Sequence, residues 1–297
     1  MSGGRSHLFI INPAAGQGGA AVSEGEISRF CRARGADFEI RRTSAPGDAG
    51  RIASAGVKEG FARIVSVGGD GTSSEVARAV AGTGVIMGVV PAGSGNDFPS
   101  ACGVPSPAED ALEAVFADSR LKVDAGSLDG RGFVNGLGIG MDGAIAAGFP
   151  RFRFLGGFAG YLAAAGAAAV TFRGFAAAVR SPGGDAGGRC LLAGVSNGPS
   201  QGGFRISPAA KPDDGLLDFH FICDMPPPLR VLRLVSVMAG AAGGGWISRF
   251  QAASAVIETE TDLPAHMDGE PFVLEAGEHE ISIRKGALSV LSPAGSV

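Results

Sequence analysis

The run Gly68-Gly69-Asp70-Gly71-Thr72 places three glycines, a carboxylate and a hydroxyl within five residues. Glycines let backbone amides approach a polyanion closely, and successive N–H groups at a turn entering a helix form an anion site. Asp70 repels phosphate unless a cation lies between them, and Mg²⁺ suits a carboxylate facing phosphate oxygens. The competing role for Asp70 is that of a helix cap. A second run, Pro91-Ala92-Gly93-Ser94-Gly95-Asn96-Asp97-Phe98, again follows an apolar stretch and again holds an Asp. Asp124 ends Leu121-Lys122-Val123. Asp70, Asp97 and Asp124 thus offer three acids for a hydrated Mg²⁺, although each alone is an ordinary turn residue.

The elements around these runs read as follows. Leu8 to Ile11 is a buried strand ending in Asn12-Pro13, and Ala14 to Gly19 continues as a loop. Glu24 to Arg34 has helical spacing, Phe38 to Ile40 is a strand, and Ala49 to Lys58 is a helix. Arg63 to Val67 is a strand running into the Gly68 turn, with a helix from Ser73 to Ala81. Val85 to Val90 is a strand and Glu109 to Phe116 a helix. Strands alternating with helices imply a parallel sheet covered on both faces, with ligands at the strand carboxyl ends. The glycine-rich loops after Ile11, Val67 and Val90 fall there.

Beyond residue 122 short alternating segments dominate: 133–135, 190–195, 216–222, 255–259 and 280–283. Helical stretches near 155–170 and 229–242 interrupt them. The pattern predicts a second, β-rich domain.

Composition excludes several classes. Net charge is −4, without the basic stripe of a nucleic-acid binder. Cys31, Cys102, Cys190 and Cys223 lie far apart, which argues against zinc and fits reduced thiols in a cytoplasmic protein. None of the four lysines precedes Ser or Thr, so there is no P-loop. Gly138-Ile139-Gly140-Met141-Asp142-Gly143 matches a dinucleotide fingerprint but lacks an acid about 20 residues on. Phe154 to Phe172 is uncharged apart from its flanks, but its Ala and Gly give little drive for membrane insertion.

Asn12-Pro13-Ala14-Ala15-Gly16, the Gly68 and Gly93 loops, Asp213-Asp214-Gly215-Leu216-Leu217-Asp218 and Met267-Asp268-Gly269-Glu270-Pro271 occur in that order. This ordered set resembles the diacylglycerol kinase family in its soluble bacterial form, related to sphingosine and ceramide kinases. The resemblance spans nearly the whole chain. It implies a phosphofructokinase-like α/β nucleotide-binding domain over 1–124 with the tail 286–297, and a β-sandwich second domain over 125–285. It implies an ATP- and Mg²⁺-dependent lipid kinase. Asn12, Pro13, Gly16, Thr43, Gly68, Gly69, Asp70, Gly71, Thr72, Ser73, Ser74, Ser94 and Asn96 would line the ATP site. Asp70, Asp97 and Asp124 would organise a catalytic Mg²⁺, and Asp214, with the carbonyls of Lys211 and Leu216, a second, structural one. Asp268 or Glu270 would take the lipid hydroxyl proton, with Asp268 preferred. The chain departs from the family at Ser73-Ser74 before Glu75, where Asn is usual, and at Ser94 in place of Thr. His266 is also unusual; there the expectation is a structural role.

The lipid end is written more faintly. Arg151-Phe152-Arg153-Phe154 alternates cations and aromatics, which suits an anionic membrane surface or a strand or loop edge. The expectation is a cytoplasmic enzyme touching the membrane peripherally and transiently, with no nucleic-acid partner and with a homodimer permitted. The rivals are an NAD kinase-like enzyme, which shares Gly-Gly-Asp-Gly-Thr, and a catalytically silent lipid- or nucleotide-binding relative.

Overall fold

A computed structural model describes residues 6–18, 22–117, 119–238 and 244–293. The chain divides into two compact units, residues 1–125 with 285–297, and residues 126–284.

In the first unit the order is β1 (His7–Ile11), α1 (Glu24–Ala33), β2 (Phe38–Arg42), α2 (Asp48–Lys58), β3 (Arg63–Gly68), α3 (Asp70–Val80), β4 (Ile86–Pro91), α4 (Asp97–Ala101) and α5 (Ala108–Val115). The parallel sheet runs β2-β1-β3-β4. Every residue of β1 is buried, as expected for a parallel strand covered on both faces. Helix α1 starts on a capping box, Ser23 with Glu26, which satisfies two amides that would otherwise be orphaned. Helix α3 starts at Asp70, three residues before the predicted Ser73. Gly69 is its N-cap, in extended conformation, and Ser73 N donates to Gly69 O at 3.0 Å. Glycine in the first helical turn hides that start from propensity reasoning.

β5 (Arg120–Leu128) leads into the second unit. There follow β6 (Arg131–Phe133), β7 (Gly136–Gly140), α6 (Met141–Gly148), a 3-10 helix over Phe149–Leu155, α7 (Gly157–Thr171), β8 (Phe175–Arg180), β9 (Ala186–Ser196), β10 (Leu217–Cys223), α8 (Pro227–Met238), β11 (Ile247–Ala252), β12 (Ser254–Thr259), β13 (Leu263–Met267), β14 (Glu270–Leu274) and β15 (Gly277–Leu291). The antiparallel order β14-β13-β7-β9-β8-β12-β15 carries a branch from β9 through β10 to β11. Its core joins Phe133, Leu137, Ile139, Phe219, Ile257 and Ile281. The C-terminal half of β15 belongs to the first unit, where Ser289 and Val290 pair with Ile86 and Met87 of β4.

Two local expectations change. Arg151 to Phe154 lies in the 3-10 helix, not on a strand or loop edge, with Pro150 at its start. The predicted helix over 229–242 is α8, which ends at Met238; residues 239–242 lie outside the described residues, as do Gly19 and 294–297. Helix α7 has 15 residues, and no helix among the described residues is long and apolar enough to cross a membrane.

Candidate active site

In the first unit the two glycine loops meet backbone to backbone. A Cβ added to Gly93 would lie 2.7 Å from Gly69 Cα, and one on Gly69 would lie 3.2 Å from Gly93 Cα. Any side chain at either position would force the loops apart. Asn96, in the left-handed region at φ 57°, locks the second loop: its Oδ1 accepts Gly93 N and its Nδ2 donates to Gly93 O. A short polar side chain tolerates that conformation better than most.

Asp70 does not cap α3, whose N-cap has no side-chain hydrogen bond. Its carboxylate reaches the other loop instead, accepting Asn96 N at 2.6 Å and Phe98 N at 3.3 Å. Burial pushes the Asp70 carboxyl above its ordinary range, and the amides of Phe98, Asn96 and Asp97 pull it back only in part. A negative charge so placed is stabilised by any cation that arrives beside it. Asp97 lies close by: a Cβ on Gly95 would sit 2.8 Å from Asp70 Oδ2 and 3.8 Å from Asp97 Oδ2.

The third predicted acid does other work. Asp124 is buried and its Oδ1 accepts Gly286 N at 2.6 Å, while Lys122 Nζ donates to Ser289 Oγ. Both contacts pin the returning tail of β15. No three His, Cys, Asp or Glu side chains among the described residues form a group that could hold a metal ion. Asp214 Oδ1 accepts Leu216 N and closes its own turn beyond Lys211. The pair Asp70 and Asp97 still fits Mg²⁺, which is ordinarily held by one or two carboxylates, several waters and substrate phosphates.

The remaining predicted nucleotide residues divide by exposure. Asn12 leaves β1 with its Nδ2 donating to Thr72 Oγ1 and its Oδ1 accepting Ala14 N, so the Pro13 turn is tied to the head of α3. Gly16, at φ 62°, lies where a Cβ would come within 3.0 Å of Ala92 O. Thr43 N donates to Ile11 O, and Ser94 and Gly71 are exposed. Ser73 and Ser74, by contrast, are fully buried, and Ser73 Oγ lies 3.2 Å from Ser66 Oγ beneath the loop. On α3 both side chains are packed away from solvent. Glu75, one position on, accepts Gly47 N and Gly50 N at the start of α2 and so anchors that helix end. Nothing in its local sequence announces this role.

In the second unit the turn between β13 and β14 carries Asp268 and Glu270. Asp268 has φ 49°, and its Oδ1 accepts the amides of Val134, Asn135 and Gly136 at 3.3, 2.8 and 3.0 Å. Its Oδ2 accepts Val134 N at 3.0 Å. This carboxylate organises the backbone that enters β7. Glu270 is exposed at the head of β14.

Behind that turn lies a buried polar set. His266 Nε2 is 3.0 Å from Asp142 Oδ2, Tyr161 Oη donates to Asp142 Oδ1, and Gly269 N donates to His266 Nδ1. Burial alone would push His266 down, but the charge and hydrogen bond of Asp142 raise it above its ordinary value. Asp142 and Tyr161 also line a pocket walled by Ile145, Leu191, Ile222 and Trp246. A pocket with apolar walls and a few polar groups suits an amphiphile. The rejected dinucleotide run, Gly138 to Gly143, is thus β7 turning into α6, and the carboxylate of its Asp142 serves His266.

Residues 6–128 match the family described as "Diacylglycerol kinase catalytic domain", and residues 136–292 the "YegS C-terminal NAD kinase beta sandwich-like domain". Proteins named "Probable lipid kinase YegS-like" from Pseudomonas aeruginosa and Chromohalobacter salexigens are 33% and 29% identical over 273 and 275 residues. Each alignment covers 89% of this chain, and 88% and 87% of the respective relative. A solved structure of a diacylglycerol kinase from Bacillus anthracis str. Sterne superposes over 100% of both chains, with a TM-score of 0.72 at 21% identity. An NAD kinase from Archaeoglobus fulgidus in complex with ATP superposes over 98% of this chain and 95% of its own, with a TM-score of 0.55 at 14% identity. At these identities the two structures establish the fold.

Proposed function

The chain belongs to the lipid kinase family that joins a diacylglycerol kinase catalytic domain to a YegS-type β-sandwich, and on that premise we propose that it transfers the γ-phosphate of ATP to the hydroxyl of diacylglycerol or a related lipid at a membrane surface. The observation that carries the nucleotide half is the Asp70 carboxylate bonded across to the Asn96 amide, beside the close approach of Gly69 and Gly93. Phosphoryl transfer asks mainly for positioning and for neutralised charge. Loop amides and the N-terminus of α3 supply fixed donors to phosphate oxygens. Asp70 and Asp97 would hold Mg²⁺, which supplies charge neutralisation at the phosphates.

The acceptor half rests on the second unit. The apolar pocket above Asp142 suits an acyl chain. Of the two acids on the β13–β14 turn, Glu270 is the exposed one, whereas the Asp268 oxygens already accept backbone amides. Glu270 therefore accepts the hydroxyl proton in this reading, and Asp268 shapes the turn that presents it. This reverses the preference for Asp268 drawn from the sequence.

The test is incubation with ATP, Mg²⁺ and detergent micelles, each carrying one of diacylglycerol, ceramide, sphingosine or undecaprenol. Phosphate appearing in an extracted lipid supports the reading and identifies the acceptor. ATP binding without transfer to any lipid would favour a silent relative.

A further inference from the structure

Helix α8 is built inside out. Its two cations turn toward the protein. Arg230 donates from Nε to Met225 O and from Nη1 to Phe172 O, both at 2.6 Å, and its Nη2 meets Asp224 Oδ1 at 2.9 Å. The Arg233 guanidinium stands 5.3 Å from the Trp246 ring centroid. Meanwhile Leu229, Leu232 and Val235, spaced on one face of the helix, are 46%, 55% and 56% exposed. An amphipathic helix on a protein that meets only water has the opposite orientation, because each exposed Leu or Val forgoes the gain from leaving water.

The neighbouring elements share this character. Leu234 of α8 packs with Ala164, Ala165 and Ala168 of α7, and Phe149 and Phe152 of the 3-10 helix join the same cluster. From that 3-10 helix Phe154 projects 81% exposed, between the exposed Arg153 and Leu155. Residues 143–184 and 225–257 contain no Asp or Glu and no Lys, only Arg, in a chain of net charge −4. The exposed apolar side chains are thus set in the part of an acidic chain that carries only positive charge.

We propose that the exposed face of α8, with the Arg151–Leu155 segment, docks on an anionic bilayer. Leu229, Leu232, Val235 and Phe154 enter the headgroup–acyl boundary, while Arg151 and Arg153 meet the lipid phosphates. Charge selects this occupant over a second copy of the chain. A two-fold contact would bring the same acid-free cationic segment against itself, whereas an anionic surface complements it. The surface stands on its own observations and does not need the lipid-kinase reading.

Flotation of the full chain with vesicles of phosphatidylcholine, alone or with phosphatidylglycerol, tests this. The wild type should partition onto the phosphatidylglycerol vesicles, and less so as salt rises. The double variant Leu232→Glu, Val235→Glu should lose partitioning by about tenfold or more. The pair Arg151→Ser, Arg153→Ser should lose the preference for phosphatidylglycerol. An unchanged far-UV circular dichroism spectrum and melting temperature certify that the variants fold. A wild type that ignores both vesicle types, or a double variant that partitions like the wild type, overturns the proposal. So does a wild-type dimer that Leu232→Glu, Val235→Glu splits while vesicle binding is unaltered. If detergent-dispersed lipids go unphosphorylated while vesicle binding follows the expected pattern, the lipid-kinase reading fails and the docking surface stands.

Discussion

The Asp70 carboxylate accepts the backbone amide of Asn96 at 2.6 Å, joining the loop after β3 to the loop after β4. One acid therefore sets the spacing of two glycine loops and places its own charge between them. Burial raises its carboxyl, and the loop amides that it accepts, like an arriving cation, work in the other direction and favour the ionised state.

Gly93→Ala is expected to separate the loops. The new methyl would sit 2.7 Å from Gly69 Cα and 2.9 Å from the Asn96 side-chain Oδ1, and the Gly69 backbone cannot yield cheaply. Overpacking of this kind costs about 1–3 kcal/mol. A denaturant midpoint and an ATP titration should fall together. Stability lost with ATP affinity intact would mean that the loop contact is structural only.

The two acids of the β13–β14 turn should separate by readout. Asp268→Ala unpairs the amides of Val134, Asn135 and Gly136 and should cost about 2–3 kcal/mol in denaturant unfolding. Glu270→Gln, on an exposed side chain, should stay within about 0.5 kcal/mol of the wild type. It should nevertheless lower transfer by about 10²–10⁴-fold. If Glu270→Gln turns over normally while the near-isosteric Asp268→Asn does not, the base is Asp268.

Much of the fold was legible because period and punctuation agree in it. In β1 and β3 apolar runs end at Asn12-Pro13 and Gly68-Gly69, and the helices between carry spaced apolar residues, so the α/β layering reads directly. The β-rich second part was legible as alternation, but β13 and β14 were not, since Pro264 and Pro271 break their pattern. The Arg-Phe alternation at 151–154 imitates a strand and is a 3-10 helix. The candidate site was legible as loops and less so as distances. No local signal tells that Asp124 turns to Gly286 across 162 positions, that Glu75 caps α2, or that Ser73 and Ser74 face inward. Those facts are set by which face of an element meets the core, and sequence reveals that only where apolar periodicity is strong.

The buried histidines predict opposite pH limbs. His220 is enclosed, its Nε2 has no partner among the described residues, and burial lowers it to about 4. The unfolded chain protonates this ring first, near its ordinary value of 6.5, so stability should fall as pH drops from 6.5 through about 4. At most this is about 3 kcal/mol. His266 is raised, so its contribution is complete below 6.5 and is lost as pH climbs through the higher folded value. Unfolding free energies of the wild type and His220→Asn, measured between pH 4 and 7, check the acid limb. The variant should show the shallower slope; equal slopes would remove His220 from the account.

The most direct test of the central claim places both acceptors in one tube. The wild type and Asp70→Asn are given ATP labelled on the γ-phosphate, Mg²⁺, detergent-dispersed diacylglycerol and NAD, and label is counted in the organic phase and in NADP. Organic-phase label is expected with the wild type, a loss of about 10²-fold or more in Asp70→Asn, and none in NADP. Label in NADP, or equal organic-phase label from the two proteins, would contradict the claim.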